Sequence, residues 1–121
     1  MTTAYEVRRE LAAPYRQLAE QIPEVMEAFN EVSRAAMADG VLPAKVKELI
    51  ALAIGATREC DGCIASHAKG AARQGATEAE VAEAMAVVIL MNGGPGTVWG
   101  PRAAAAHREF AQAKSPNIRA A

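Results

Sequence analysis

Two cysteines, one of the two histidines and an isolated glutamate gather the chain's reactive groups into a single stretch, Glu48 to His67. The spacing is Glu-x11-Cys-x2-Cys-x3-His, with Glu48, Cys60, Cys63 and His67 at the named places. If the chain is helical from Cys60 onward, Cys60, Cys63 and His67 fall within roughly 60° of arc, because each residue turns the helix by about 100°. Cys63 and His67 are then an i, i+4 pair and can touch. Thiol redox chemistry suits this arrangement. The thiolate is the nucleophile, and a thiol of ordinary pKa, about 8.5, needs help to ionise at neutral pH. A helix N-terminus, a neighbouring histidine and the Cys-x-x-Cys geometry each supply it. A second cysteine one turn away can resolve a sulfenic acid or a mixed disulfide before it oxidises further.

Glu48 belongs to the same chemistry. From Glu48 to Ala56 the chain reads ELIALAIGA, apolar on every side apart from the glutamate. Such a helix is expected to be buried, and a carboxylate there is costly unless paired or protonated. His67 is the candidate partner, which gives a Glu–His–Cys relay of orienting group, base and nucleophile. Plainer readings compete with each of these. The cysteines can be inert small hydrophobes. Cys60, Cys63 and His67 can supply three zinc ligands, although structural zinc wants four and His107 lies forty residues further on. Glu48 can snorkel to the surface, and His67 can be a solvated helical residue.

The elements that must position these groups are helices. Residues 2–21 read as one helix or a pair broken at Pro14, with Thr2 or Thr3 as cap. Pro23 opens a second helix with Val25, Met26, Phe29, Val32, Ala36 and Met37 at three-to-four spacing, closed by an Asp39-Gly40 cap. Pro43 opens the helix that carries Glu48, which runs to about Thr57. Arg58-Glu59 turns into the cysteine helix, which Gly75 ends. Thr77 and Glu80 form a capping box for a helix that is apolar on all sides by MAVVILM. After Asn92-Gly93-Gly94-Pro95-Gly96 breaks it, Thr97 caps a last helix through Trp99 to about Ala113. Trp99 is expected as a core or interface anchor, His107 as a surface or packing residue, and the methionines as core filler. Arg8-Arg9, Lys45 and Lys47 read as solvated charges. The tail Lys114–Ala121 has no pattern and is expected to fray.

Composition agrees with an all-α chain of about six helices. Alanine dominates the sequence and only 4% of residues are aromatic. At 121 residues the chain is expected to be a single domain, 1–121, with its chemistry in 43–100. Small side chains make thin cores, so a homo-oligomer is expected. The net charge of −1 gives no reason to expect nucleic acid or an anionic membrane as partner. No secretory pattern is present and Met85 to Met91 is too short to span a bilayer, so a cytoplasmic location is expected.

The stretch from Pro43 to Gly100 resembles the carboxymuconolactone decarboxylase-like family, and within it the alkylhydroperoxidase AhpD-like branch. Glu48, Cys60, Cys63 and His67 fall on that branch's Glu-x11-Cys-x2-Cys-x3-His pattern without a gap. GATEAEVAEA (75–84) and the Gly94-Pro95 turn are similar to further family features. The resemblance implies an all-helical homotrimer or homohexamer, with catalytic Glu48, Cys60, Cys63 and His67 and no cofactor or metal. It implies a hydroperoxide substrate and a dithiol reductant, protein or lipoyl-type. The cysteines would cycle between dithiol and disulfide while Glu48 and His67 relay protons, with Cys60 the more exposed sulfur. Characterised peroxidases of the branch can carry a histidine between the cysteines, where this chain has Asp61-Gly62, and are longer. Decarboxylase members typically lack the cysteine pair. A lyase or isomerase using Glu48 and His67 as an acid–base pair, and a non-catalytic or metal-binding subunit, remain the alternatives.

Overall fold

The computed structural model describes residues 2–113. Among them are six helices and no strand: α1 (Ala4–Gln21), α2 (Pro23–Met37), α3 (Ala44–Thr57), α4 (Asp61–Arg73), α5 (Glu78–Asn92) and α6 (Gly96–Ala111). The chain is therefore all-α, as its composition predicts. Helix α4 is central: it packs against α3 on one side and α6 on another, and α1 lies along it. Helix α6 packs in turn on α5. The core is a seam of small and branched side chains, with Leu52 and Ala56 of α3 meeting Ile64, Ala65 and Ala68 of α4, Val81 and Met85 of α5, and Ala103 and Phe110 of α6. Alanines at these contacts let the helix axes approach closely. Leu52 and Phe110 are the largest apolar side chains fully buried there, each worth about 1.5–3 kcal/mol.

The helix ends follow local chemistry. Thr3 Oγ1 accepts from the Glu6 N–H at 3.1 Å to start α1. The Glu109 carboxylate of α6 accepts from the Ala4 and Tyr5 N–H groups at 2.9 and 3.3 Å, which pins that terminus to α6. Helix α1 runs unbroken through Pro14. Pro23 stands in the first turn of α2, and Thr77 and Glu80 form the full reciprocal capping box of α5.

Four expectations need correction. Asp39-Gly40 does not close α2 with a left-handed residue; α2 ends at Met37, and Gly40 has no positive φ. Asp39 instead accepts from the Ala44 N–H at 2.7 Å and so caps α3, whose own preceding residue is a proline without a capping group. Thr97 is not the cap of α6: the helix begins one residue earlier, and the Thr97 hydroxyl donates back to Gly94 O at 2.6 Å. Lys45 and Lys47 are not merely solvated, since Lys45 pairs with Glu80 at 2.9 Å and Lys47 donates to Ala38 O at 2.6 Å. Finally, the apolar helices are covered on one face only within the chain. Ile50 and Ile54 of α3 and Val87, Leu90 and Met91 of α5 remain exposed, and α2 buries no residue at all. The expected tail, 114–121, lies outside the described residues.

Candidate functional site

The dithiol sits where a turn becomes a helix. The α3 C-terminus closes with Cys60 N–H donating to Gly55 O at 3.0 Å and Glu59 N–H to Ala56 O at 3.1 Å. This closure needs the left-handed region at Glu59, which takes φ 54°. Cys60 follows as the N-cap of α4, its sulfur accepting from the Cys63 N–H at 3.2 Å. Cys60 and Cys63 are joined as a disulfide, with their Cα atoms 5.3 Å apart. Cys63 is exposed and Cys60 half-buried, the reverse of the expected order. As the N-cap residue, Cys60 turns its sulfur toward the helix end, where it accepts from the Cys63 N–H.

One turn further along α4, His67 Nδ1 lies 2.9 Å from Glu48 Oε2. The Glu48 side chain is 15% exposed and the imidazole 31%. Glu48 therefore does not snorkel: α3 carries its carboxylate to a specific partner on α4. When the imidazole is neutral and Nδ1 donates to the Glu48 carboxylate, the other ring nitrogen, Nε2, keeps its lone pair. That is the tautomer a general base needs. Among the described residues no hydrogen bond joins His67 to either sulfur, and in a disulfide neither sulfur has a proton to share. The structure thus brings the four residues into two directly bonded pairs along one helix face.

A residue that the sequence reading passed over also touches the site. Gly70, three residues after His67, lies directly against the Glu48 carboxylate. The sequence signal was a glycine inside a helical pattern, where it costs stability relative to alanine. A shallow open cleft between α1, the start of α4 and α6 is lined by Val7, Asp61, Ile64, Trp99, Arg102 and Glu109, and none of Glu48, Cys60, Cys63 and His67 lines it. The Arg102 guanidinium lies 4.8 Å from the centre of the half-buried Trp99 ring. On another face of α4, burial and then the nearby charges of Arg8 and Arg73 bring the Lys69 ammonium down to about 8.

The second histidine is a packing residue. His107 is buried, its Nε2 donating to Ala76 O at 2.8 Å, while Nδ1 is buried without a partner. No group of three or more His, Cys, Asp or Glu among the described residues is arranged to hold a metal ion. Nor is any described helix long and apolar enough to cross a membrane.

The model of the carboxymuconolactone decarboxylase family covers residues 23–106, and the chain belongs to that family. It is 42% identical, over 87% of its length and 94% of the relative's, to an uncharacterized protein of Cupriavidus necator. It is 41% identical to uncharacterized protein 4 in the cox locus of Paracoccus denitrificans, a match covering 56% of this chain and 61% of that protein. Among solved structures it is similar to apo-lpg0406, a carboxymuconolactone decarboxylase family protein from Legionella pneumophila. The TM-score is 0.86 at 30% identity, covering 89% of this chain and 96% of that one.

Proposed function

We propose that this protein is a cytoplasmic, AhpD-like thiol peroxidase or disulfide oxidoreductase that needs no prosthetic group. The observation that carries the reading is the Glu48–His67 pair, held at 2.9 Å one turn beyond the joined cysteines. In the reduced form, His67 Nε2 takes the proton of the Cys63 thiol while Glu48 holds the ring through Nδ1. The Cys63 thiolate attacks the terminal oxygen of a hydroperoxide; the O–O bond breaks, and the departing alkoxide takes that proton and leaves as an alcohol. Cys63 is now a sulfenic acid. The Cys60 sulfur attacks it, forming the disulfide and releasing water. A dithiol partner, protein or lipoyl-type, then returns both electrons through a mixed disulfide.

The placement of the two sulfurs supports this order. Cys63 is exposed to an incoming thiolate, and Cys60 leaves as a thiolate stabilised by the Cys63 N–H and the α4 N-terminus. The uncovered faces of α2, α3 and α5 support a homotrimer or homohexamer, and light scattering that gives 12.7 kDa in solution contradicts it.

The test is hydroperoxide consumption with dihydrolipoamide, run on wild type, Cys60→Ser and Cys63→Ser. Turnover is expected in the wild type and in neither variant. The family name favours a second reading, a lyase or isomerase that uses Glu48 and His67 as acid and base on a small lactone. Such an enzyme would keep its activity after both cysteines are alkylated.

A further inference from the structure

We infer that Gly70 is a positioning residue of the site, because the side chain it lacks is the space that the Glu48 carboxylate occupies. The inference rests on the relay proposed above. Gly70 is in the interior of α4 and, counted around the helix, continues the stripe of Cys63 and His67. Its backbone does not require glycine: the glycines with positive φ are Gly75 and Gly93. A helical glycine without a conformational reason is explained by what lies against it. Here a β-carbon would fall on the end of Glu48, 2.5 Å from Oε1 and against Cδ and Oε2 as well. Real β-carbons stay beyond 3.0 Å. The obstructing atoms are the tip of a flexible side chain, so the carboxylate yields and the helix does not. All three atoms must retreat together, and Oε2 is the partner of His67 Nδ1. A methyl group at position 70 therefore removes the carboxylate from the imidazole without altering any ionisable group.

The experiment uses the full chain with Gly70→Ala, Glu48→Gln and the double variant. Gly100→Ala serves as a control for a helical glycine, since its nearest β-carbon contact is an ordinary 3.6 Å. Two readouts are specific to the pair: the hydrogen-bonded Nδ1–H signal of His67 by NMR, and the pH of half-maximal alkylation of Cys63 in reduced protein. Gly70→Ala is expected to stay folded, to lose the hydrogen-bonded Nδ1–H signal, and to raise the alkylation midpoint in the same direction as Glu48→Gln. The double variant should add nothing, and Gly100→Ala should match wild type. A folded Gly70→Ala protein that keeps the wild-type signal and profile overturns the inference. Loss of the signal in Gly70→Ala, with an alkylation profile unmoved in both it and Glu48→Gln, supports the placement of Glu48 by Gly70 and removes the relay instead. If Gly70→Ala fails to fold, Glu48→Ala/Gly70→Ala decides. Recovery of folding shows that the two groups compete for one space, and continued failure overturns the inference.

Discussion

Helix α4 is flanked by two turns of the same construction. Before it, Cys60 N–H donates to Gly55 O and Glu59 N–H to Ala56 O; after it, Ala76 N–H donates to Ala71 O and Gly75 N–H to Ala72 O. Each closure needs a left-handed residue, and the two turns fill that position differently. Gly75, at φ 83°, has no β-carbon to clash. Glu59, at φ 54°, has one, at a cost of about 1–2 kcal/mol. The surroundings differ as well. After Gly75, Ala76 is buried and its carbonyl is held by the buried His107, and the capping box of α5 follows at once. After Glu59 come the half-buried Cys60 and the exposed Cys63. The far end of α4 is built for stability, whereas the near end keeps backbone strain beside the cysteine pair.

Six substitutions can break or sharpen this contrast. The largest effect is expected at His107→Ala, which opens a cavity in the core and frees the Ala76 carbonyl. Denaturant unfolding should show a loss of about 3 kcal/mol. His67→Ala, half-exposed near the other end, should cost far less stability; equal losses would erase the distinction between the two histidines. Next comes Gly75→Ala, which forces a β-carbon into the left-handed region and should cost about 1–2 kcal/mol.

At the reactive end the effect should be chemical. Glu48→Gln keeps the shape and removes the charge, so the pH of half-maximal Cys63 alkylation should rise by about one unit, or roughly 1.4 kcal/mol. His67→Ala should raise it at least as much, and the double variant little further, because coupled groups are not additive. Identical alkylation curves in all of them would leave no relay. Glu59→Gly should raise stability by about 1 kcal/mol in thermal or denaturant unfolding. No gain would mean that the turn before the cysteines is unstrained.

The smallest effect concerns acid. The Thr77 N–H, then the Lys45 ion pair, hold the Glu80 carboxyl below its ordinary value. A depressed carboxyl contributes stability above its unfolded pKa and loses it as pH falls through the folded one. The contribution is thus complete near neutrality and fades below about pH 4.5. Glu80→Gln should flatten that part of the acid-unfolding curve, and a curve that keeps its wild-type slope would remove Glu80 from the reinforcement of this end.

Much of this could be read from local signals, because they act within a few residues of where they stand. Pro23 in a first turn, the Thr77–Glu80 box, and Gly75 as a stop each place a helix end through a backbone group nearby. Cys63 and His67 were legible as a pair for the same reason: they share α4, whose period puts them on one face, with Cys60 just ahead at its cap. Glu48 was legible as an isolated carboxylate in an apolar run, but not its bond to His67, which depends on how α3 lies against α4. Only the packed structure decided the rest. Asp39 caps α3 across a loop, Gly70 leaves room for a carboxylate nineteen helix-packed positions away from His67 in sequence, and His107 holds the turn after α4. It also decided which faces of the apolar helices α3 and α5 are covered, since a helix apolar on all sides carries no periodic preference for any one of them.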